Sequence, residues 1–134
     1  MGMKVDHIGV AVPDLEGALD VWRDVLALEV EDIEVVPDQK VKVAKLRAGE
    51  SVIELLEPTE EDSPVGRFLA RSGGGIHHIC LEVEDLEVAL EAFAAKGLRL
   101  VDEKPRIGAG GHRIAFVHPK TMGGVLLELT EAPR

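Results

Sequence analysis

Val5-Asp6-His7-Ile8-Gly9-Val10-Ala11-Val12-Pro13-Asp14-Leu15-Glu16-Gly17-Ala18-Leu19 returns later in the chain as Ile76-His77-His78-Ile79-Cys80-Leu81-Glu82-Val83-Glu84-Asp85-Leu86-Glu87-Val88-Ala89-Leu90. The offset is 71 residues, and it aligns His7 with His78, Val12 with Val83, Asp14 with Asp85, Leu15 with Leu86 and Leu19 with Leu90. Two half-domains built on one plan follow from such a repeat. Each copy opens as a strand: Ile8, Val10 and Val12 alternate with His7, Gly9 and Ala11, and Ile79, Leu81 and Val83 alternate with His78, Cys80 and Glu82. Each then enters a helix capped by Asp14 or Asp85. Leu15, Ala18, Leu19, Trp22, Val25 and Leu26 make one helical stripe, and Leu86, Ala89, Leu90 and Phe93 make the other before Gly97. These stripes should cover the Ile/Val faces of the strands and leave the histidines on the opposite face.

Further strand patterns run from Val41 to Leu46, Ser51 to Leu56, Arg113 to His118 and Val125 to Thr130, separated by turns at Ala48-Gly49-Glu50 and Pro119 to Gly124. The plan reads as βαβββ, twice. The expected fold class is therefore α+β, with a curved mixed sheet around a cleft. One domain over residues 1–134 is expected, with repeat one at about 3–58, a linker helix at about 62–73 and repeat two at about 75–131. The linker helix starts at Asp62-Ser63-Pro64, shows Val65, Phe68 and Leu69 on one side, and stops at Gly73-Gly74-Gly75.

The 134 residues carry 15 basic and 25 acidic side chains, a net charge of −10 that argues against nucleic acid or anionic lipid as a partner. No apolar run approaches the roughly 20 residues that span a bilayer, and the charged N-terminus lacks a signal-peptide core, so a cytoplasmic location is expected. The single cysteine, Cys80, agrees with a reducing compartment. Asparagine is absent and Gln39 is the one glutamine, a depletion of heat-labile amides that hints at a thermophilic source.

Both closing strands carry a glutamate inside an apolar run, Val52-Ile53-Glu54-Leu55-Leu56 and Val125-Leu126-Leu127-Glu128-Leu129. A buried carboxylate is costly unless paired or metal-bound, and the same holds for His7 and His78 in their strands. A lone strand histidine is ordinarily a hydrogen-bonded core residue, and a lone strand glutamate ordinarily faces water. Four such residues at repeat-equivalent positions point instead to a site. Were the halves to pack about a pseudo-two-fold axis, His7, Glu54, His78 and Glu128 would converge as ligands for a divalent metal with open positions, and cobalt, manganese, nickel, iron or zinc all suit two nitrogens and two oxygens.

These paired His-Ile strands, glutamate-bearing strands and βαβββ repeats resemble the vicinal oxygen chelate superfamily, which includes the glyoxalases, over essentially the whole chain. Within it, Asp62-Ser63-Pro64 through Phe68-Leu69, Gly74-Gly75-Ile76-His77-His78-Ile79-Cys80, Lys104-Pro105-Arg106-Ile107-Gly108 and His118-Pro119-Lys120 are similar to the methylmalonyl-CoA epimerases. The resemblance implies a homodimer, methylmalonyl-CoA as substrate, and metal ligands His7, Glu54, His78 and Glu128, with glutamine standing at the Glu54 position in some members. It also implies interconversion of the (2R) and (2S) forms through an enediolate. A carboxylate base of some members would fall near Val43, which cannot carry a proton, so Glu54 and Glu128 become the expected catalytic pair, one per face of the substrate. Lys104, Arg106, Arg113 and Lys120, around the glycines 108, 110 and 111, are the expected contacts for coenzyme A phosphates; a plain hairpin loop is the competing reading. Glu82, Glu84, Glu87 and Glu91 read as a solvated face, and His77 as a packing residue. A glyoxalase-type isomerase acting on a thiohemiacetal and a non-catalytic small-molecule-binding protein of the same fold stay open as alternatives.

Overall fold

The computed structural model describes residues 2–132. By their contacts these form two compact units, one of His7–His77 and one combining the residues up to Asp6 with His78 onward. In the first unit, β1 (Lys4–Ala11) leads into α1 (Leu15–Leu19), and β2 (Glu29–Val36), β3 (Val41–Ala48) and β4 (Ser51–Pro58) follow. Strands β2, β3 and β4 are successively antiparallel, and β4 runs parallel to the His7–Ala11 part of β1. The second unit repeats the plan: β5 (Gly75–Val83), of which His78 onward belongs here, α3 (Leu86–Ala95), then β6 (Arg106–Ile107), β7 (Arg113–Val117) and β8 (Leu126–Glu131), with β8 parallel to β5. This is the α+β βαβββ architecture of the vicinal oxygen chelate fold.

Alternation sorts the side chains as the sequence suggests. Val12, Leu15, Leu19, Ala44, Leu46 and Leu55 form one core beneath α1, and Val83, Leu86, Leu90, Ala115, Val117, Leu127 and Leu129 form the other beneath α3. Each buried leucine contributes about 1.5–3 kcal/mol. Asp14 and Asp85 cap their helices, accepting from the Gly17 and Val88 N–H groups. A second anchor was not foreseen. The Glu57 carboxylate accepts from Leu15 N–H and the Glu131 carboxylate from Leu86 N–H, each at 2.8 Å, so the last strand of each half grips the first residue of its helix.

The first helical stripe is shorter than its periodicity implies. After Leu19 the chain widens into a π-turn, Asp20–Val25, closed by Leu26 N–H donating to Val21 C=O, and Ala27 then turns with φ of 61°. The wider turn shifts the helical phase. Val25 and Leu26, expected in the stripe, are instead 74% and 54% exposed.

Between β4 and β5, α2 (Pro64–Ser72) occupies the expected linker. Ser63 Oγ accepts from Gly66 N–H and donates to Glu60 C=O, and Gly73, with φ of 77°, ends the helix. Gly66 is required sterically: a Cβ there would lie 2.3 Å from the Glu61 carbonyl oxygen. Phe68 on α2 meets the His77 ring edge-on at 5.0 Å, which agrees with a packing role for that histidine.

Candidate metal centre

Among the described residues the buried polar side chains are His7, Glu54, Ser63, His78, Glu128 and Thr130. Four of these six are the repeat-equivalent histidines and glutamates. In the first unit, β1 and β4 lie side by side with Gly9 opposite Glu54, so no side chain on β1 competes for the space there. His7 Nε2 then stands 3.5 Å from Glu54 Oε1. In the second unit Cys80 and Phe116 flank Glu128 in the register, and His78 Nε2 stands 3.0 Å from Glu128 Oε1. The Phe116 ring meets the His78 ring edge-on at 6.2 Å and limits its rotation.

Each pair has the donor chemistry of a divalent-metal site, and its spacing fits. Two ligand atoms about 2.1 Å from a common ion subtend about 90° when 3.0 Å apart and about 110° when 3.5 Å apart, ordinary angles between neighbouring ligands. Nitrogen and carboxylate oxygen in equal number, with no thiolate in either pair, favour an open site over a closed structural zinc centre.

Of the expected basic residues, Arg106 and Arg113 lie on opposite faces of their sheet. Arg106 lies on the Phe116 side of its sheet: its guanidinium sits 5.2 Å above that ring, and Asp102 holds its Nε at 3.4 Å. Arg113 points to the helix side, where it pairs with Glu87 and with Glu131 at 3.1 Å. The hydrogen bond to Glu87 is the main reason its guanidinium binds its proton more tightly than usual, against desolvation. Lys104 lines an open groove of about 680 Å³ along α3 together with Glu87, Glu91 and Glu103. Lys120 is exposed in the turn Pro119–Thr121, where its N–H donates to His118 Nδ1 at 3.0 Å. The acidic face also divides: Glu82 lies on the His78 side of β5, mostly buried and 3.3 Å from Lys4 Nζ, because strand parity carries it away from Glu87. Val43 is buried on the Glu54 side of β3, an aliphatic wall without a proton-carrying group.

Lys45 is the residue the sequence reading missed. It is the direct cross-strand partner of Glu54, and its Nζ is 3.4 Å from Glu34 Oε1. Its position between Ala44 and Leu46 in an alternating strand was the available signal.

Residues 6–116 match the glyoxalase/bleomycin resistance protein/dioxygenase superfamily. The mitochondrial methylmalonyl-CoA epimerase of Mus musculus is 40% identical over 130 residues, 96% of this chain and 73% of the relative. The chain belongs to the methylmalonyl-CoA epimerase family. The ethylmalonyl-CoA/methylmalonyl-CoA epimerase of Cereibacter sphaeroides is 41% identical across 96% of this chain and 97% of its own length. A substituted form of the Streptomyces coelicolor methylmalonyl-CoA epimerase, solved with 2-nitronate-propionyl-CoA, superposes with a TM-score of 0.91 at 40% identity, covering 97% of this chain and 98% of that one. Family membership agrees with the resemblance read from the linker and the His118-Pro119-Lys120 turn. Among the described residues no helix is long and apolar enough to cross a membrane.

Proposed function

We propose that this protein interconverts the two C2 epimers of methylmalonyl-CoA, with His7, Glu54, His78 and Glu128 together holding one divalent metal ion. The observation that carries the reading is that each half independently sets a buried histidine Nε2 against a buried glutamate Oε1, at repeat-equivalent positions of a chain in this family. A divalent ion there supplies positive charge to oppose the negative charge that develops as C2 loses its proton. The C2–H bond is already acidified by the carboxylate and the thioester on either side of it.

The chain's own residues then move the proton. A carboxylate of the pair takes it from one face of C2, and the other, protonated, returns one to the opposite face, so the reaction is neutral overall and needs no redox partner. Glu54 and Glu128 fill these roles in the proposal. The aliphatic Val43 and the aromatic Phe116 beside them exclude water from the neighbourhood of a carbanion that water would quench without stereocontrol. Lys104, Arg106 and Lys120 are the proposed contacts for the coenzyme A phosphates, with the strongest support for Arg106 on the Phe116 side; Arg113 would join them only by leaving Glu87 and Glu131 on the helix side. The homodimer, implied by the family resemblance, predicts a sedimenting mass about twice 14.5 kDa at micromolar concentration.

Metal analysis combined with an epimerase assay tests the reading. The expected result is one divalent ion per chain, with C2 exchange into deuterated solvent and epimerisation both lost on chelation and restored by one of cobalt, manganese, nickel, iron or zinc. Stoichiometric metal without C2 exchange would favour glyoxalase-type chemistry. Neither metal nor exchange would leave a binding protein.

A further inference from the structure

The two halves match in frame but not in the residue beside each glutamate. Lys45 stands opposite Glu54 in the β3–β4 register, and Phe116 stands opposite Glu128 in the β7–β8 register, at the same offset of 71 residues as the histidines. Phe116 lies against His78 and beneath Arg106, an apolar surface next to its His/Glu pair. Lys45 places an ammonium on the corresponding surface of the other half. Its side chain is 17% exposed, on the same strand face as buried Val43 and opposite the helix-facing Ala44 and Leu46. Glu34, the cross-strand neighbour of Val43, holds the ammonium at 3.4 Å and so orients it along this face rather than letting it extend to water. An ammonium has three N–H donors, and the Glu34 contact leaves others to share. A partly exposed ion pair of this kind adds about 0–1 kcal/mol to stability, which does not account for placing a lysine beside a buried glutamate.

We propose that Lys45 is a specificity-determining residue, whose ammonium binds the free carboxylate of the acyl group and so selects carboxylate-bearing acyl thioesters over plain ones. The inference rests on the epimerase reading, and it deepens that reading by giving the substrate an orientation: the acid end of the acyl group toward Glu54 and Lys45. The charge on Lys45 acts as a fixed anchor and takes no part in proton transfer.

The test compares two thioesters that differ in a carboxylate against a methyl group, malonyl-CoA and propionyl-CoA, bound to the metal-loaded protein and followed by calorimetry. Lys45→Met keeps the length of the side chain and removes the charge. Malonyl-CoA binding should weaken about tenfold to a hundredfold, the range for a hydrogen bond to a charged group, while propionyl-CoA binding stays within about twofold. Lys45→Arg should keep most of the preference, and metal content should be unchanged in both. Should the Met variant fail to fold, Lys45→Gln makes the same comparison with a polar side chain. Equal weakening of both thioesters, or of neither, overturns the proposal. Loss of selectivity in a wild-type background that shows no C2 exchange would retain carboxylate recognition and remove the epimerase reading. Wild-type epimerisation with undiminished selectivity in Lys45→Met would do the reverse.

Discussion

On the proposed reading, replacing Glu128 or Glu54 by glutamine should separate metal holding from proton transfer. Both residues are buried, at 6% and 7% exposure, and the amide is nearly isosteric with the carboxylate. The volume packed at each position should therefore be nearly unchanged. The amide oxygen remains available as a ligand atom 3.0 to 3.5 Å from its histidine, so metal should stay bound. What the amide cannot do is carry a proton at working pH. General acid–base catalysis is worth about a hundredfold to ten-thousandfold, or about 3–5 kcal/mol of barrier at 1.36 kcal/mol per decade. Each variant should accordingly epimerise at least about a hundredfold more slowly. The loss should also be one-sided: Glu54→Gln should still exchange the C2 hydrogen of one epimer with deuterium, and Glu128→Gln that of the other. Proton NMR of each pure epimer in deuterated buffer reads this directly. Epimerisation by Glu54→Gln at nearly the wild-type rate would reduce Glu54 to a ligand. Equal loss of exchange from both epimers in either variant would refute the one-base-per-face assignment.

The remaining expectations concern the frame around the site. His7→Ala and His78→Ala should each abolish stoichiometric metal binding while keeping a folded circular dichroism spectrum; unchanged metal content in both would dismiss the site. Glu131→Ala removes the carboxylate that accepts from Leu86 N–H at 2.8 Å, and urea titration should show a loss of about 1.5–3 kcal/mol. A loss under about 0.5 kcal/mol, the range of ordinary surface changes, would mean that Asp85 suffices as a cap. Gly66→Ala gains about 1 kcal/mol of helix propensity but drives a Cβ to 2.3 Å from the Glu61 carbonyl, so the net effect should be destabilising by about 1–3 kcal/mol. A variant as stable as the parent would show that the loop at Glu60 and Glu61 yields easily.

What the chain declared in advance was whatever rests on period and local capping. The strands around His7 and His78 alternate cleanly, Asp14, Ser63 and Asp85 cap where they should, and glutamates in apolar strands are conspicuous because burial without a partner is costly. The edge strands were harder. Strand β2 carries Glu31 and Asp32 at a bulge between Val30 and Asp32, which breaks the alternation, and Ile33 and Val35 remain exposed. Its counterpart β6 is two residues long, hemmed by Pro105 and Gly108. The π-turn after Leu19 depends on which carbonyl Leu26 reaches, a choice no residue type in Asp20–Val25 encodes. Charged partners across the sheet were equally hidden: nothing local tells Arg113 to turn toward Glu87, or Lys45 toward Glu34.

The closing strand of each half carries two glutamates three residues apart, Glu54 with Glu57 and Glu128 with Glu131. An odd spacing in a strand sends them to opposite faces, one to a buried histidine and one to the start of a helix. A slip of β4 or β8 by a single residue would exchange the faces, leaving a carboxylate against aliphatic core on one side and a helix end without its acceptor on the other. Correct alignment is thus checked twice, from above and below the same ribbon, and a misaligned chain fails both checks together. The carboxylate proposed as a metal ligand is in this way held in register by a second glutamate on the far face of its own strand.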